Sequence, residues 1–303
     1  MPKPPPADWL ASFTTAAATS DMADALAVLE ARATAHAGTP KSAEKIAACK
    51  EIMRAAGDDA RALAAWCRWL AQQDSPTAKE LLCVLLPSHY PRAPKQALRW
   101  LQKLSDDGSW EVREWAASAL GELLDAHFDE LLPVAQAWVR DDSQFVRRAV
   151  VVGAKYAAQK RHPERGKPLL DLIEPLVTDR AEEVRRNLGP FAIGDGYLRS
   201  YPKEPLAAVR RWARSDDEQS RWNAAMVFAA AQAQHHVDEA LAVLSDLARD
   251  QRRYVWMAVS SALRNLVKRA PERVVPEIET WLQDDRRLPA ALALRGVKRE
   301  PPA

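Results

Sequence analysis

Between residues 106 and 260 one phrase returns at a near-constant interval, and that interval restricts the fold more than any other property of the chain. The phrase is an acidic turn, a valine, a basic or aromatic pair and then an alanine-rich stretch. It occupies residues 106–114, 141–148 and 179–186, and recurs in weaker form at 216–222 and 250–256. With Val112, Val146, Val184, Trp222 and Val255 as markers, the steps are 34, 38, 38 and 33 residues. A period in this range belongs to stacked helix pairs, because one pair alone cannot bury its apolar stripe. The expected fold is all-α, a right-handed α-α superhelix (solenoid) with a concave groove. Such an array presents the same face of every repeat along that groove.

The rest of the chain fits an array of this kind. Alternating β patterns are absent and nearly every segment has helical periodicity, broken at Gly, Pro or Asp clusters. Helices are expected over 8–19, 22–37, 42–56, 59–73, 76–86 and 94–104, and in the second repeat over 144–159 and 167–177. The expected organisation is a loose tail at 1–7, helical repeats over 8–105, five repeats over 106–295 continuous with them, and a loose tail at 296–303. Trp100, Trp138, Trp212 and Trp281 each precede an acidic turn at one phase of the repeat, which suits packing between repeats.

Composition excludes several classes of function. The 303 residues are 48% hydrophobic with a net charge of +2, so bulk charge names no partner. The distribution is more informative: residues 140–211 hold fifteen Lys and Arg against ten Asp and Glu. Cys49, Cys67 and Cys83 form no C-x-x-C pair and read as reduced, buried thiols. The six histidines lack metal-ligand spacing, so neither a metal nor a cofactor is expected. The proline-rich start has no signal-peptide stretch and no run is long enough to span a membrane, which points to a cytoplasmic protein and, in the simplest reading, a monomer. Walker, Rossmann, G-x-S-x-G and H-E-x-x-H motifs are all missing.

A second set of residues clusters where the first helix of a repeat begins. Trp110, Trp115, Phe145, Trp222, Tyr254 and Trp256 stand there beside Arg113, Arg147, Arg148, Arg185, Arg186 and Arg221. Helix N-termini offer free N–H groups and partial positive charge that suit phosphate oxygens, and guanidinium groups add charge-assisted contacts. The competing reading is that these arginines bridge to Asp or Glu of the neighbouring repeat.

The stretch from Trp100 to Trp281 resembles the HEAT-like-repeat alkylpurine DNA glycosylases, the AlkD and AlkC families. Residues 109–114, Ser-Trp-Glu-Val-Arg-Glu, are similar to the AlkD-type element in which a tryptophan precedes a catalytic carboxylate by four residues. Residues 138–149 resemble the W-x-x-D-x-N-x-x-V-R-R element of both families, and 254–264 the AlkD-type terminal helix. The resemblance implies a HEAT-like solenoid that binds double-stranded DNA, alkylated, distorted or branched. It assigns Glu114 to the catalytic carboxylate, Trp110 to the aromatic at the lesion and Arg148 to a DNA contact. It also pairs Glu114-Trp115-Ala116 with the AlkC-type E-F-A element. Val152 stands where the AlkC pattern has a glutamate. The second AlkD-type tryptophan falls near Pro190, leaving Phe191 as the adjacent aromatic, and a carboxylate of the next repeat matches Asp195 only with an insertion.

The chemistry implied is electrostatic. An N3- or N7-alkylated purine is cationic, so its glycosidic bond breaks once the oxocarbenium-like sugar is stabilised by a carboxylate and a water is positioned. Aromatic faces attract the cationic base by about 0.5–2 kcal/mol. Glu114, Trp110 and Asp195 are the catalytic candidates. Arg113, Arg147, Arg148, Arg185, Arg186, Arg221, Trp115, Phe145, Phe191, Trp222 and Trp256 are the DNA-contact candidates. Two alternatives stay open: a non-catalytic relative that binds branched or distorted DNA, and a protein-interaction scaffold.

Overall fold

The computed structural model describes residues 6–34 and 38–295. Among these there is no β-strand, and helices follow one another with short connections, so the protein is all-α. The expected tails at 1–7 and 296–303 lie outside the described residues, except that Pro6 and Ala7 open the first helix, Pro6–Ala18. Contacts divide the chain into two compact units with the boundary between Leu123 and Leu124.

The first unit contains Pro6–Ala18, Met22–Glu30, Ser42–Ala56, Ala60–Leu70, Pro76–His89, Pro94–Ser105 and most of Trp110–Ala126. Several starts follow from local chemistry. The Asp59 carboxylate accepts from the Arg61 N–H at 2.7 Å, and the Ser75 hydroxyl from the Ala78 N–H at 3.3 Å with Pro76 at the first helical position. The expected helix over 22–37 stops at Glu30, because residues 31–34 form a turn whose Thr34 N–H bonds the Thr39 carbonyl at 3.1 Å. Phe13, Leu29, Ile52, Leu70, Leu81, Leu85 and Leu101 are fully buried and form the core. Each such side chain contributes about 1.5–3 kcal/mol on leaving water. Cys49, Cys67 and Cys83 are buried free thiols, and burial pushes the Cys67 thiol up to about 12. A fully buried Lys45–Glu80 ion pair, 2.5 Å apart, sits among them, and the Lys45 ammonium also donates to the Thr39 hydroxyl at 3.0 Å.

In the second unit the repeats form two layers. The first helices lie side by side: Gln144–Ala157 packs on the segment from Glu182 through Tyr197, that on Glu218–Val227, that on Arg253–Leu266 and that on Leu288–Arg295. The second helices, Gly166–Ile173, Lys203–Trp212, Val237–Leu247 and Pro271–Trp281, form the other layer. The expected helix over 144–159 ends at Ala157, and the one over 167–177 becomes 3-10 geometry at Glu174–Thr178, where Pro175 enters the first turn.

The repeat turn has one construction. Asp107, Asp141, Asp179, Asp250 and Asp284 each accept a hydrogen bond from the backbone N–H two residues on, at 2.8–3.0 Å. Ser215 does the same at 3.2 Å. These Asx-type turns force the chain to reverse before each first helix, and they set the true register at steps of 34, 38, 36, 35 and 34 residues. The residue in phase with Val112, Val146, Val184 and Val255 is therefore buried Ser220, two positions before Trp222. The sequence marker was misplaced because a polar residue fills the apolar position, its hydroxyl bonded to Asp217 at 3.1 Å. Of the repeat-ending tryptophans, Trp138, Trp212 and Trp281 are buried, whereas Trp100 is half-buried and stacks on His89 at 5.7 Å.

Candidate nucleic-acid interface

Six residues after the turns at 107, 141, 179, 215 and 250 stand Arg113, Arg147, Arg185, Arg221 and Trp256, and Lys79 holds the same helical position in Pro76–His89 as Arg113 in Trp110–Ala126. Arg113 donates to the carbonyls of Asp107 and Gly108 at 2.7 and 3.2 Å, and Arg147 to those of Asp141 and Asp142 at 2.8 and 3.0 Å. Arg221 reaches back to the Ser215 carbonyl at 2.5 Å. Three members of the series also bridge to the turn of the following repeat: Lys79 to Asp107 at 2.9 Å, Arg147 to Asp179 at 2.7 Å and Arg221 to Asp250 at 2.8 Å. These cations staple neighbouring repeats. Burial pushes the Asp250 carboxyl up, but hydrogen bonds from Arg252 and Arg221 outweigh it and hold it at about 2.

Arg185 leaves the series and turns to the next two repeats. Its guanidinium donates to the Tyr254 hydroxyl at 3.2 Å and lies 5.8 Å from the Trp222 ring centre. Trp222 stacks on Tyr254 at 5.7 Å and 13°, and the Tyr254 hydroxyl donates to Gln219 Oε1 at 2.7 Å. Arg185, Trp222 and Tyr254 thus clip three successive repeats together. Arg148 is buried and its Nε lies 3.3 Å from Glu183 Oε2, and exposed Arg186 pairs with Glu182 one turn earlier on its helix. Phe145 is half-buried, and Trp256 lines a cavity of about 470 Å³ with Arg249, Asp250, Asp285 and Arg286.

Trp110 and Glu114 come together on one element. Trp110 opens helix Trp110–Ala126, so the pair, four residues apart, shares one helical face. Trp110 is 61% exposed, the highest value among the large hydrophobic side chains described. Half-buried Trp115, one residue on, has the Lys45 ammonium 5.7 Å from its ring centre. The other exposed large hydrophobics, Ile46, Tyr156, Met257 and Leu292, also lie on first helices of repeats, and none lies on a second helix.

Asp195, flanked by Gly194 and Gly196, lies in an irregular helical segment. Residues Leu188–Tyr197 form a π-helical segment, a geometry that is rare at such length. Three glycines permit it. A Cβ on Gly194 would lie 2.4 Å from the Val227 carbonyl, one on Gly189 3.1 Å from Asn223 Oδ1, and one on Gly196 2.5 Å from Lys155 Cγ. The extra residue per turn supplies the insertion that the repeat pattern needs here. Asp195 accepts from Lys155 at 3.1 Å and from Arg199 at 2.6 Å. The Lys155 ammonium also lies 3.4 Å from the Phe191 ring centre, and Phe191 meets Tyr156 edge-on at 6.5 Å. Fully buried Val152 lies one turn before Lys155–Tyr156 on the same helix. Lys155, Tyr156, Gln219 and Arg199 escaped the sequence analysis. The signal for Lys155 was Gly196, forty-one residues away, so only packing reveals it.

A model of the family described as "DNA alkylation repair enzyme" matches residues 30–192 and 191–296. The chain belongs to that family. Among solved structures this family member is similar to AlkD2 from Streptococcus mutans, with 16% identity over 93% of this chain and 100% of that one, at a TM-score of 0.37. It is also similar to smu.31 from Streptococcus mutans UA159, with 15% identity over 93% of this chain and 98% of that one, at a TM-score of 0.27. No curated protein matches. Among the described residues no helix is long and apolar enough to cross a membrane, and no group of His, Cys, Asp and Glu is arranged to hold a metal ion.

Proposed function

We propose that this member of the family is a DNA N-glycosylase that releases cationic N3- or N7-alkylated purines from double-stranded DNA, acting as a monomer without metal or cofactor. The observation that carries the reading is Trp110, 61% exposed at the start of a helix that presents Glu114 one turn later. A tryptophan left open to water offers its face to a cationic base, worth about 0.5–2 kcal/mol. A carboxylate one turn away is placed to stabilise positive charge developing on the sugar as the base departs, and to orient the attacking water. Trp110 positions the base and Glu114 is the catalytic residue. The test is release of 7-methylguanine and 3-methyladenine from methylated duplex. Glu114→Gln, which keeps the shape and removes the charge, is expected to abolish it, and full activity in that variant would remove Glu114 from the role.

A second reading, a non-catalytic relative that binds branched or distorted DNA, draws support from the second unit. Val152 is apolar and fully buried where a carboxylate is patterned in part of the superfamily, and Asp195 is engaged by both Lys155 and Arg199. Affinity for a four-way junction well above that for linear duplex, with no base release, would favour it. The pairing of Arg147, Arg148 and Arg186 with acids is what a protein-interaction scaffold would have, and failure to bind any DNA at low salt would favour that outcome.

A further inference from the structure

The repeat architecture of the second unit sorts charge between its two edges. All first helices run in one direction, so the turns between repeats gather at one edge and the turns within repeats at the other. Contacts confirm the second edge as continuous. The Ser200 hydroxyl donates to the Ala158 carbonyl at 2.8 Å, the Tyr201 hydroxyl donates to the Gln159 and His162 carbonyls at 2.8 and 2.9 Å, and Leu198–Ser200 packs on Ala231–His235. The turns between repeats, 139–143, 178–183, 213–218, 248–253 and 282–287, hold eight Lys and Arg against eleven Asp and Glu. Those within repeats, 125–129, 158–167, 199–204, 234–238 and 267–273, hold nine against six.

Within this positive edge Arg161, Arg165, Lys167, Arg199 and Arg273 are ion-paired with Asp125, Asp171, Asp195 and Asp238. Lys160, Lys203 and Lys268 are exposed and make no ion pair among the described residues. These lysines recur in three different repeats. The edge between repeats also has exposed arginines, Arg214, Arg249 and Arg286, but they stand among an excess of acids. The helices that begin at this edge, Gly166–Ile173, Lys203–Trp212, Val237–Leu247 and Pro271–Trp281, have no side-chain cap on their N-termini. Their positive dipole ends add to the same field. At the opposite edge Ser143 and Asp217 cap two first helices, while Glu182–Asn187 and Arg253–Leu266 start without a side-chain cap.

We propose that a DNA phosphate backbone runs along the edge formed by the turns within repeats, and that Lys160, Lys203 and Lys268 are its contacts. The inference rests on the DNA-binding reading above and relocates the contact from the helix starts to the helix ends. A row of mobile ammonium groups suits phosphates at varying register, because each acts as a point charge and needs no fixed fork geometry.

The experiment measures affinity of the full chain for a linear duplex across a salt series. In Lys160→Ala/Lys203→Ala/Lys268→Ala the slope of log affinity against log salt is expected to fall by about three, with affinity at least about ten-fold weaker near 0.1 M salt. Arg214→Ala/Arg249→Ala/Arg286→Ala removes equal charge from exposed positions at the other edge and is expected to leave the slope unchanged. Equal losses in both triple variants would show a general charge effect and overturn the assignment. An unchanged slope in the lysine variant would overturn it while leaving DNA binding intact. A wild-type chain that binds no duplex at low salt would overturn it together with the DNA-binding reading itself.

Discussion

Asp250 lies at 3% exposure between Arg221 and Arg252, and its acidity follows from that placement. Its carboxyl is held at about 2, below the ordinary 3.8. A depressed folded-state value contributes stability that is complete above the unfolded value and is lost as pH falls from about 4 to about 2. After allowance for solvent screening this amounts to about 1–2 kcal/mol. Asp250→Asn keeps an acceptor for the turn and removes the charge. Urea unfolding is expected to show it less stable than wild type by that amount at pH 7, with most of the difference gone at pH 2. A gap that persists undiminished at pH 2 would assign the loss to packing. Arg147 and Arg221 belong to the same network. Arg147→Ala and Arg221→Ala are expected to cost about 1–2 kcal/mol each in unfolding while leaving the salt slope of DNA binding unchanged. A fall in that slope would return these arginines to the phosphate-contact set.

At the scale of the element, the segment Leu188–Tyr197 is the departure from regular repeat geometry that matters most. Its three glycines are required by close approach, since none of them has a positive φ. Gly194→Ala places a methyl group 2.4 Å from a backbone carbonyl that cannot move without disturbing helix Glu218–Val227. The expected cost is about 1–3 kcal/mol, read as a lowered unfolding midpoint. Gly108→Ala has open space around it and serves as the tolerated control. An unaffected midpoint for Gly194→Ala would mean that the π-helical segment relaxes freely. The segment also explains why Asp195 aligns only with an insertion. One extra residue per turn carries the carboxylate to Lys155 and Arg199, and a sequence pattern with a fixed helical period cannot anticipate that shift.

At the scale of the whole molecule, the all-α repeat class and membership of the DNA alkylation repair family were readable from residues 100–281 alone. Spacing is a local property: an acidic turn and a valine four or five residues on mark the start of a helix wherever they occur. That Trp110 and Glu114 share a helical face was legible for the same reason, because residues four apart on one helix lie on the same side. Which cations are available to a partner was decided only in three dimensions. Arg147 and Arg221 have the same neighbours in sequence whether they face solvent or a staple, and the acids that hold them, Asp179 and Asp250, arrive from 32 and 29 residues away. Lys160, Lys203 and Lys268 share no motif, yet parallel stacking of the first helices brings their turns to one edge. Periodicity along the chain encodes the elements and their order. The charge pattern of a surface depends on which elements become neighbours, and that is settled by packing.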